Sequence, residues 1–135
     1  MAKLPDNVKD LLQSGHNVWV ATVGSDGWPN VAIKGSGAFL DNEHIYFADI
    51  FSKKTRQNLL HSNKVAVGIF NRETRVALQV KGHATLLDSG DLFKRVSEEI
   101  DQRQSWLPPV KYVVQIEIEA IYDMSAGPNA GERIA

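Results

Sequence analysis

The segment Ser52-Lys53-Lys54-Thr55 places two adjacent lysines between hydroxyl side chains. It opens a stretch rich in helix formers, Ser52–Ser62, for which Ser52 is well placed as the N-cap. A helix N-terminus carries partial positive charge, so lysines there are mildly unfavourable unless an anion binds. Backbone N–H groups, hydroxyls and ammonium groups would then converge on a phosphate. Two solvated surface lysines behind an ordinary cap are the alternative on spacing alone.

A second segment with ligand-binding character is the run Val31-Ala32-Ile33-Lys34-Gly35-Ser36-Gly37. Its small residues would let a flat ligand approach the backbone, and Lys34 supplies one cation. A bulged strand with a lysine that reaches solvent explains the same pattern. Trp106, next to the break at Pro108 and Pro109, would either stack on a ring or simply pack over a helix end.

Several classes of site are excluded or unsupported by the 135 residues of the chain. Without cysteine it cannot form a disulfide, a Cys-ligated zinc site or a thiol nucleophile. The four histidines fall in four different predicted elements without metal-ligand spacing, so we predict no metal site. The sequence has no Walker loop, Rossmann glycine fingerprint or GxSxG elbow. Hydrolases and phosphoryl transferases therefore gain no support.

Composition and charge predict one globular domain. Hydrophobic residues make up 43% of the chain and charged residues 23%, close to the average for globular proteins. Fifteen basic residues against sixteen acidic ones give a formal charge of −1, so no overall basic field attracts nucleic acid. The start lacks a signal-peptide pattern, and no apolar run approaches the roughly 20 residues needed to span a bilayer. We therefore expect a cytoplasmic protein with neither a nucleic-acid nor a membrane partner.

Hydrophobic periodicity predicts the elements that must position these segments. The predicted helices are Leu4–Ser14, with Gly15 as its cap, Ser52–Ser62 and Asp91–Gln104. The predicted strands are Asn17–Val23, Asn30–Leu40, His44–Asp49, Lys64–Phe70, Arg75–Leu87 and Lys111–Tyr122. Early hairpins and short helices favour a mainly β fold, an antiparallel sheet closed into a small barrel. We expect a single domain over residues 1–124 and a flexible, frayed tail over residues 125–135.

The first predicted strand is apolar on both faces. Val18 and Val20 lie on one face, and Trp19, Ala21 and Val23 lie on the other. A monomeric barrel would show polar residues on its outside. We therefore expect a partner to cover the outer face, and a homodimer would provide that cover.

In their order along the chain, the motifs resemble those of the pyridoxamine 5′-phosphate oxidase-like FMN-binding split-barrel family. They are the DG-P turn of the first hairpin, the IYFAD strand, the S-K-K-T-x-x-N entry to the helix (Ser52 to Asn58) and the later V-K-G-H-A strand (Val80 to Ala84). The resemblance covers nearly the whole chain. It implies a six-stranded antiparallel Greek-key split barrel that binds FMN at a homodimer interface.

By position, the resemblance assigns residues to each part of the FMN site. The residues expected at the phosphate are Ser52, Lys53, Lys54 and Thr55. Those expected to face the ring and the ribityl chain are Val31, Ala32, Ile33 and Lys34 on one strand and Phe47 and Ala48 on its neighbour. A later strand would contribute Gln79, and the second subunit would contribute Trp106.

The resemblance implies an FMN-dependent oxidoreductase of the flavin-reductase or electron-transfer type, with a small-molecule redox substrate or an electron-transfer partner. The tail SAGPNAGERIA lacks the Arg- and His-bearing segment with which true oxidases hold pyridoxamine phosphate. A true pyridoxamine phosphate oxidase and a deazaflavin F420-dependent reductase remain alternatives. From another class, the chain would be a non-enzymatic flavin carrier, or a small barrel that stacks oligonucleotide bases on Trp19, Tyr46 and Phe47.

Overall fold

The computed structural model describes residues 2–12, 16–103 and 105–135. The strands in these ranges are β1 (His16–Val23), β2 (Pro29–Asp41), β3 (His44–Asp49), β4 (Lys64–Phe70), β5 (Ala77–Leu87) and β6 (Tyr112–Asp123). The helices are α1 (Asp6–Leu11), α2 (Lys54–His61) and α3 (Asp91–Arg103). The predicted cap at Gly15 and the predicted helix residues 13, 14 and 104 lie outside the described residues. No helix in the described ranges is long and apolar enough to cross a membrane.

The six strands close into one barrel in the order β1-β2-β3-β6-β5-β4, and every neighbouring pair is antiparallel. Closure gives each strand two hydrogen-bonded neighbours, which removes the exposed edges that an open sheet would leave. The predicted fold class is confirmed. Several predicted boundaries move, and the clearest case is β5, which begins at Ala77 rather than Arg75. Arg75 adopts a φ of 60°, in the left-handed region, and so cannot continue a strand.

Two apolar clusters hold the barrel together. The first fills its interior, where residues such as Val20, Val80 and Ile116 are fully buried, and α1 adds Val8 and other residues to it. The second lies outside the barrel, between α3 and the outer face of β3 and β6. α3 covers that face along its length, because its apolar residues recur at helical spacing and so lie on one side of the helix.

The described residues leave another part of the outer surface uncovered. On β1 and β2, the side chains of Trp19, Val23, Val31 and Ile33 are 41%, 48%, 67% and 64% exposed. They share one face, since Trp19 pairs with Ile33 across the two strands. We call these four residues the β1–β2 wall. The outer face of β1 is therefore apolar and exposed, as the sequence predicted.

The end of the chain folds back onto β6. Gly131 N–H donates to the carbonyl of Asp123 (2.6 Å), and Ile134 N–H donates to that of Ile121 (2.8 Å). β6 continues beyond Glu117, where its pairing with β3 ends, so its later backbone groups are open to another segment. The tail thus makes backbone hydrogen bonds to β6, and its flexibility stays a prediction.

Candidate functional site

β2 and β3 separate at one end of their shared ladder. Their pairing includes Ala38 opposite Tyr46 and continues toward the turn at Asp41, but does not extend to Ser36. There the Ser36 hydroxyl accepts a hydrogen bond from Ala48 N–H at 2.9 Å. A side chain thus satisfies a backbone donor that the ladder no longer reaches, which keeps the two strands apart. The separation opens a cleft.

The cleft has a volume of about 540 Å³. Its walls come from the start of β1 and the middle of β2, from the end of β3, and from the end of α3 with the following loop. The lining residues are Asn17, Ile33, Lys34, Gly35, Ser36, Ala48, Ile50, Phe51, Ile100, Arg103 and Leu107. We call it the β2–α3 cleft. The lining mixes apolar side chains with polar and cationic ones, among them Lys34 and Arg103, and such a concave surface offers both packing and polar contacts to a small organic ligand or cofactor.

Lys34 is the half-buried cation of this cleft. Its Nζ lies 5.9 Å from the centroid of the Phe47 ring, close enough for a cation–π contact. Burial lowers the pKa of the Lys34 ammonium, and the nearby Asp49 carboxylate partly opposes that shift. The Phe47 side chain is buried in the barrel interior and does not line the cleft. It contacts the Lys34 ammonium from inside the barrel.

The segment Ser52-Lys53-Lys54-Thr55, which we call the lysine segment, follows directly after the cleft along the chain. Phe51, which lines the cleft, is 70% exposed and precedes Ser52. The residue at the N-cap of α2 is Lys53, so the predicted cap at Ser52 is one position too early. Ser52 still satisfies a donor of the first turn, because its buried hydroxyl accepts from Arg56 N–H at 3.2 Å. Its own N–H donates to the Asp49 carboxylate at 2.9 Å.

The lysine segment presents cations outward and hydroxyls inward. Lys53 and Lys54 are exposed, and Lys54 Nζ lies 3.5 Å from Asp26 Oδ2 in the β1–β2 turn. A hydrogen bond from Trp28 N–H, together with Lys54, lowers the pKa of the Asp26 carboxyl. Thr55 is buried, and its Oγ1 accepts from Asn30 Nδ2 at 3.3 Å. An anion at this segment would therefore meet the ammonium groups of Lys53 and Lys54, with the hydroxyl groups of Ser52 and Thr55 held in place beneath them.

Strand β2 connects the lysine segment to the cleft. Asn30 touches Thr55 at one end, and Lys34 lines the cleft four residues later. Four residues of extended strand span about 13 Å. A ligand with an anionic group, an extended linker and a flat ring could therefore lie along β2, with its anionic group at the lysine segment and its ring at the cleft. The glycine at position 35 leaves room for the Asn17 side chain, since a Cβ there would lie 3.3 Å from Asn17 Oδ1.

The other predicted site residues are placed differently. Val31 points outward on the β1–β2 wall, while Ala32 is half-buried opposite Val20. Gln79 lies on β5 opposite Tyr122 of β6, on the far side of the barrel from β2. Trp106 is 77% exposed, beside the cleft residue Leu107. A single chain thus brings Ile33, Lys34 and Ala48 together at the cleft, but it does not bring Gln79 there.

Sequence reasoning did not select most of the cleft lining. Ile50 and Phe51 carry a usable signal, because they form an apolar pair between a strand and the lysine segment. Asn17 and Arg103 carry none, since only the packing of α3 across the barrel brings them to one cleft. The alternative of a base-stacking platform loses two of its three rings. Tyr46 and Phe47 are 6% and 1% exposed, so neither ring can stack on a base.

A family model described as pyridoxamine 5′-phosphate oxidase matches residues 4–125. The chain therefore belongs to this family. It is also 37% identical, over 131 residues, to the uncharacterized protein MJ0282 of Methanocaldococcus jannaschii, a match that covers 94% of this chain and 87% of that protein.

Solved structures share the fold. HupZ of Group A Streptococcus superposes with a TM-score of 0.80 at 25% identity, covering 95% of this chain and 99% of that one. An FMN-binding protein of Syntrophomonas wolfei gives a TM-score of 0.72 at 18% identity, covering 90% and 82%. An F420 reductase (0.68, 20% identity, covering 87% and 98%) and HutZ, the heme storage protein of Vibrio cholerae (0.67, 18% identity, covering 90% and 94%), share it too. The likenesses below 25% identity show the fold alone.

Proposed function

We propose that this chain is an FMN-binding oxidoreductase of the flavin-reductase or electron-transfer type, with the cofactor bound between two copies of the chain. The observation that carries the proposal is the short path along the chain from Lys53 and Lys54 back to Phe51, which lines the β2–α3 cleft together with the half-buried Lys34. This path offers groups suited to phosphate, linker and ring in the order that FMN requires.

The lysine segment would hold the phosphate. Lys53 and Lys54 provide charge-assisted contacts, and the first turn of α2 provides backbone N–H groups. Ser52 and Thr55 accept internal hydrogen bonds, which leaves the proton of each hydroxyl available for donation. The Asp26 carboxylate now lies beside Lys54, and a bound phosphate would compete with it for that lysine.

The β2–α3 cleft would hold the ring. FMN supplies the redox chemistry, and the protein orients and tunes the cofactor. Lys34 would face the pyrimidine end and stabilise the negative charge that develops there on reduction. Its ammonium is already partly desolvated, which strengthens its interaction with a nearby charge. Phe51 and Ile33 would exclude water from the ring faces.

The second copy would cover the β1–β2 wall and complete the site. Val31 and Ile33 are more than 60% exposed although they are apolar, and Ile33 also lines the cleft. A twofold interface on this wall would therefore bury the side of the cofactor that one chain leaves open. It would also bring Trp106 of the second copy toward the cofactor, as the family resemblance implies.

Turnover of pyridoxamine phosphate is not part of the proposal. The tail carries one arginine, Arg133, and its Nε donates to the Ala135 carbonyl at 2.8 Å while Nη2 reaches the Glu119 carbonyl at 3.5 Å. Those bonds tie the guanidinium to its own chain. The F420 reductase and heme storage proteins that share the fold make F420 and heme the competing ligands to test.

Equilibrium titration of the ligand-free protein with FMN, riboflavin, F420 and heme tests the proposal. We expect FMN to bind at least about tenfold more tightly than riboflavin, because only FMN has the phosphate. Equal affinity for FMN and riboflavin, or tighter binding of heme or F420, would contradict it. A steady-state assay with a reduced nicotinamide as the electron donor then separates the oxidoreductase from a flavin carrier, which would bind FMN without turnover.

A further inference from the structure

A buried polar pair joins α2 to the barrel. The Asn58 side chain is 1% exposed, and its Nδ2 donates to Thr22 Oγ1 on β1 at 3.0 Å. Thr22 is itself 3% exposed, so this hydrogen bond lies out of reach of water. Removing one partner from such a pair leaves a buried polar group unsatisfied.

The turn after β1 is shaped to receive Asn58. Gly24 is buried, and a Cβ added there would collide with Asn58 Oδ1. The absence of a side chain at Gly24 therefore lets the backbone lie against the amide. Two residues further along this turn, Asp26 reaches Lys54. The hairpin thus contacts α2 at a buried point and at an exposed one.

The buried pair fixes the rotation of α2 about its axis. Asn58 and Thr55 are three residues apart and so lie on the same helix face. Asn58 is bonded to Thr22 on β1, and Thr55 is bonded to Asn30 on the adjacent strand β2. Rotation of α2 about its axis would break both hydrogen bonds. The same rotation would swing the Lys54 side chain away from the direction it now faces and shift the first turn relative to β2.

We infer that Thr22 and Asn58 are positioning residues for the phosphate of the cofactor, acting through the first turn of α2 rather than by touching the phosphate. The inference rests on the proposed function. It states that this buried pair, which lies outside the cleft, contributes to the preference for FMN over riboflavin. Their contribution must therefore appear in the affinity for FMN and be absent from the affinity for riboflavin.

Thr22→Val tests the inference, because valine has the same shape as threonine but offers Asn58 no acceptor. We expect the dissociation constant of FMN to rise about fivefold or more, with that of riboflavin changing less than about twofold. Thr22→Ser, which keeps the hydroxyl, should restore FMN affinity to near the wild-type value. Thr85→Val, an exposed threonine on β5, is the matched control and should change neither constant. Melting temperatures recorded on all four proteins separate loss of stability from loss of discrimination.

The outcomes distinguish the inference from the function on which it rests. A wild-type protein that prefers FMN, paired with a Thr22→Val variant that keeps the same preference, overturns the inference alone. Equal weakening of FMN and riboflavin also overturns it, since it shows a purely structural role. A wild-type protein with no preference for FMN overturns the proposed function and this inference together. If Thr22→Val does not fold, Thr22→Ala, which removes the same acceptor, should raise the FMN constant about fivefold with little effect on riboflavin, and an unchanged FMN constant there overturns the inference.

Discussion

Two outer walls of the barrel are apolar, and the described part of the chain covers one of them and leaves the other exposed. On the β3–β6 side, Tyr46 and Val113 are buried beneath Val96 and Ile100 of α3. On the β1–β2 side, apolar residues of the same kind remain largely exposed, with Val31 at 67% as the clearest case.

The difference follows from how the strands are connected. Between β5 and β6 the chain has room for a helix of thirteen residues, which folds over the neighbouring wall. Between β1 and β2 it has only a tight turn around Gly27, whose φ of 78° fits a reversal of direction. A strand pattern that is apolar on both faces therefore predicts that the outer face is covered. It does not identify the segment or partner that covers it. We propose that a second copy covers the β1–β2 wall, and that the β2–α3 cleft lies where the two covers meet.

Trp19→Glu should have the largest effect, because it places a charge in the centre of the proposed twofold interface. We expect the dimer dissociation constant to rise about a hundredfold or more, measured by analytical ultracentrifugation. Trp19 is 41% exposed in the single chain, so the monomer should still fold. Leu60→Glu, at an exposed leucine on α2, is the control and should leave the dimer intact. A Trp19→Glu variant that dimerises as wild type would show that this wall is not the interface.

Val96→Ala examines the wall that the chain covers itself. Val96 is 2% exposed between α3 and the barrel, so its truncation removes buried apolar contacts and leaves a cavity. The free energy of unfolding, measured by chemical denaturation at fixed protein concentration, should fall by about 2 kcal/mol. The dimer dissociation constant should not change. A change in dimerisation instead of stability would contradict the assignment of the two walls.

Lys54→Glu addresses the phosphate end of the proposed site. The substitution removes one charge-assisted contact and places a second carboxylate near Asp26. FMN should bind at least about tenfold more weakly, an effect of about 1.4 kcal/mol or more, while riboflavin is hardly affected. Isothermal titration with both ligands measures this. Lys94→Glu, at an exposed lysine on α3, serves as the control. Equal losses for the two ligands would refute the phosphate assignment.

Lys34→Gln should have the smallest effect, and it concerns the ring end. Loss of the half-buried cation makes reduction of bound FMN less favourable, because the negative charge of the reduced ring loses a partner. The two-electron potential should become more negative by about 30 mV, which corresponds to a tenfold change in the equilibrium. Lys81→Gln, at an exposed lysine on β5, should leave the potential unchanged. An unaltered potential in Lys34→Gln would place Lys34 away from the charged end of the ring.

The fold could be predicted from the sequence because alternation of apolar residues identifies strands locally. The predicted strand at His44–Asp49 has the same bounds in the structure, and so does Lys64–Phe70. The boundaries that moved depend on non-local or conformational detail. Arg75 takes a positive φ that its residue type does not predict, and the tail pairs with the part of β6 that continues beyond its pairing with β3.

The candidate site could be predicted only in part. Lys34 and the lysine segment stand out because cations in an apolar strand or at a helix start are unusual. The cleft itself could not be predicted, because it opens where the Ser36 hydroxyl replaces a ladder bond. The contact between Thr22 and Asn58 was equally out of reach, since 36 residues separate the two along the chain. The shared character of the proposed site leaves Gln79 and Trp106 as predictions that a single chain does not test.

Size-exclusion chromatography of the freshly purified protein, with light scattering and visible absorbance recorded on the same peak, tests the central claim most directly. Two chains of 15.0 kDa should elute as a species of about 30 kDa. We expect that species to carry the absorbance of an oxidised flavin, either as isolated or after incubation with FMN, and to bleach when dithionite is added. A 15 kDa species that holds FMN would contradict the shared site, and a protein that takes up no FMN would contradict the proposed function.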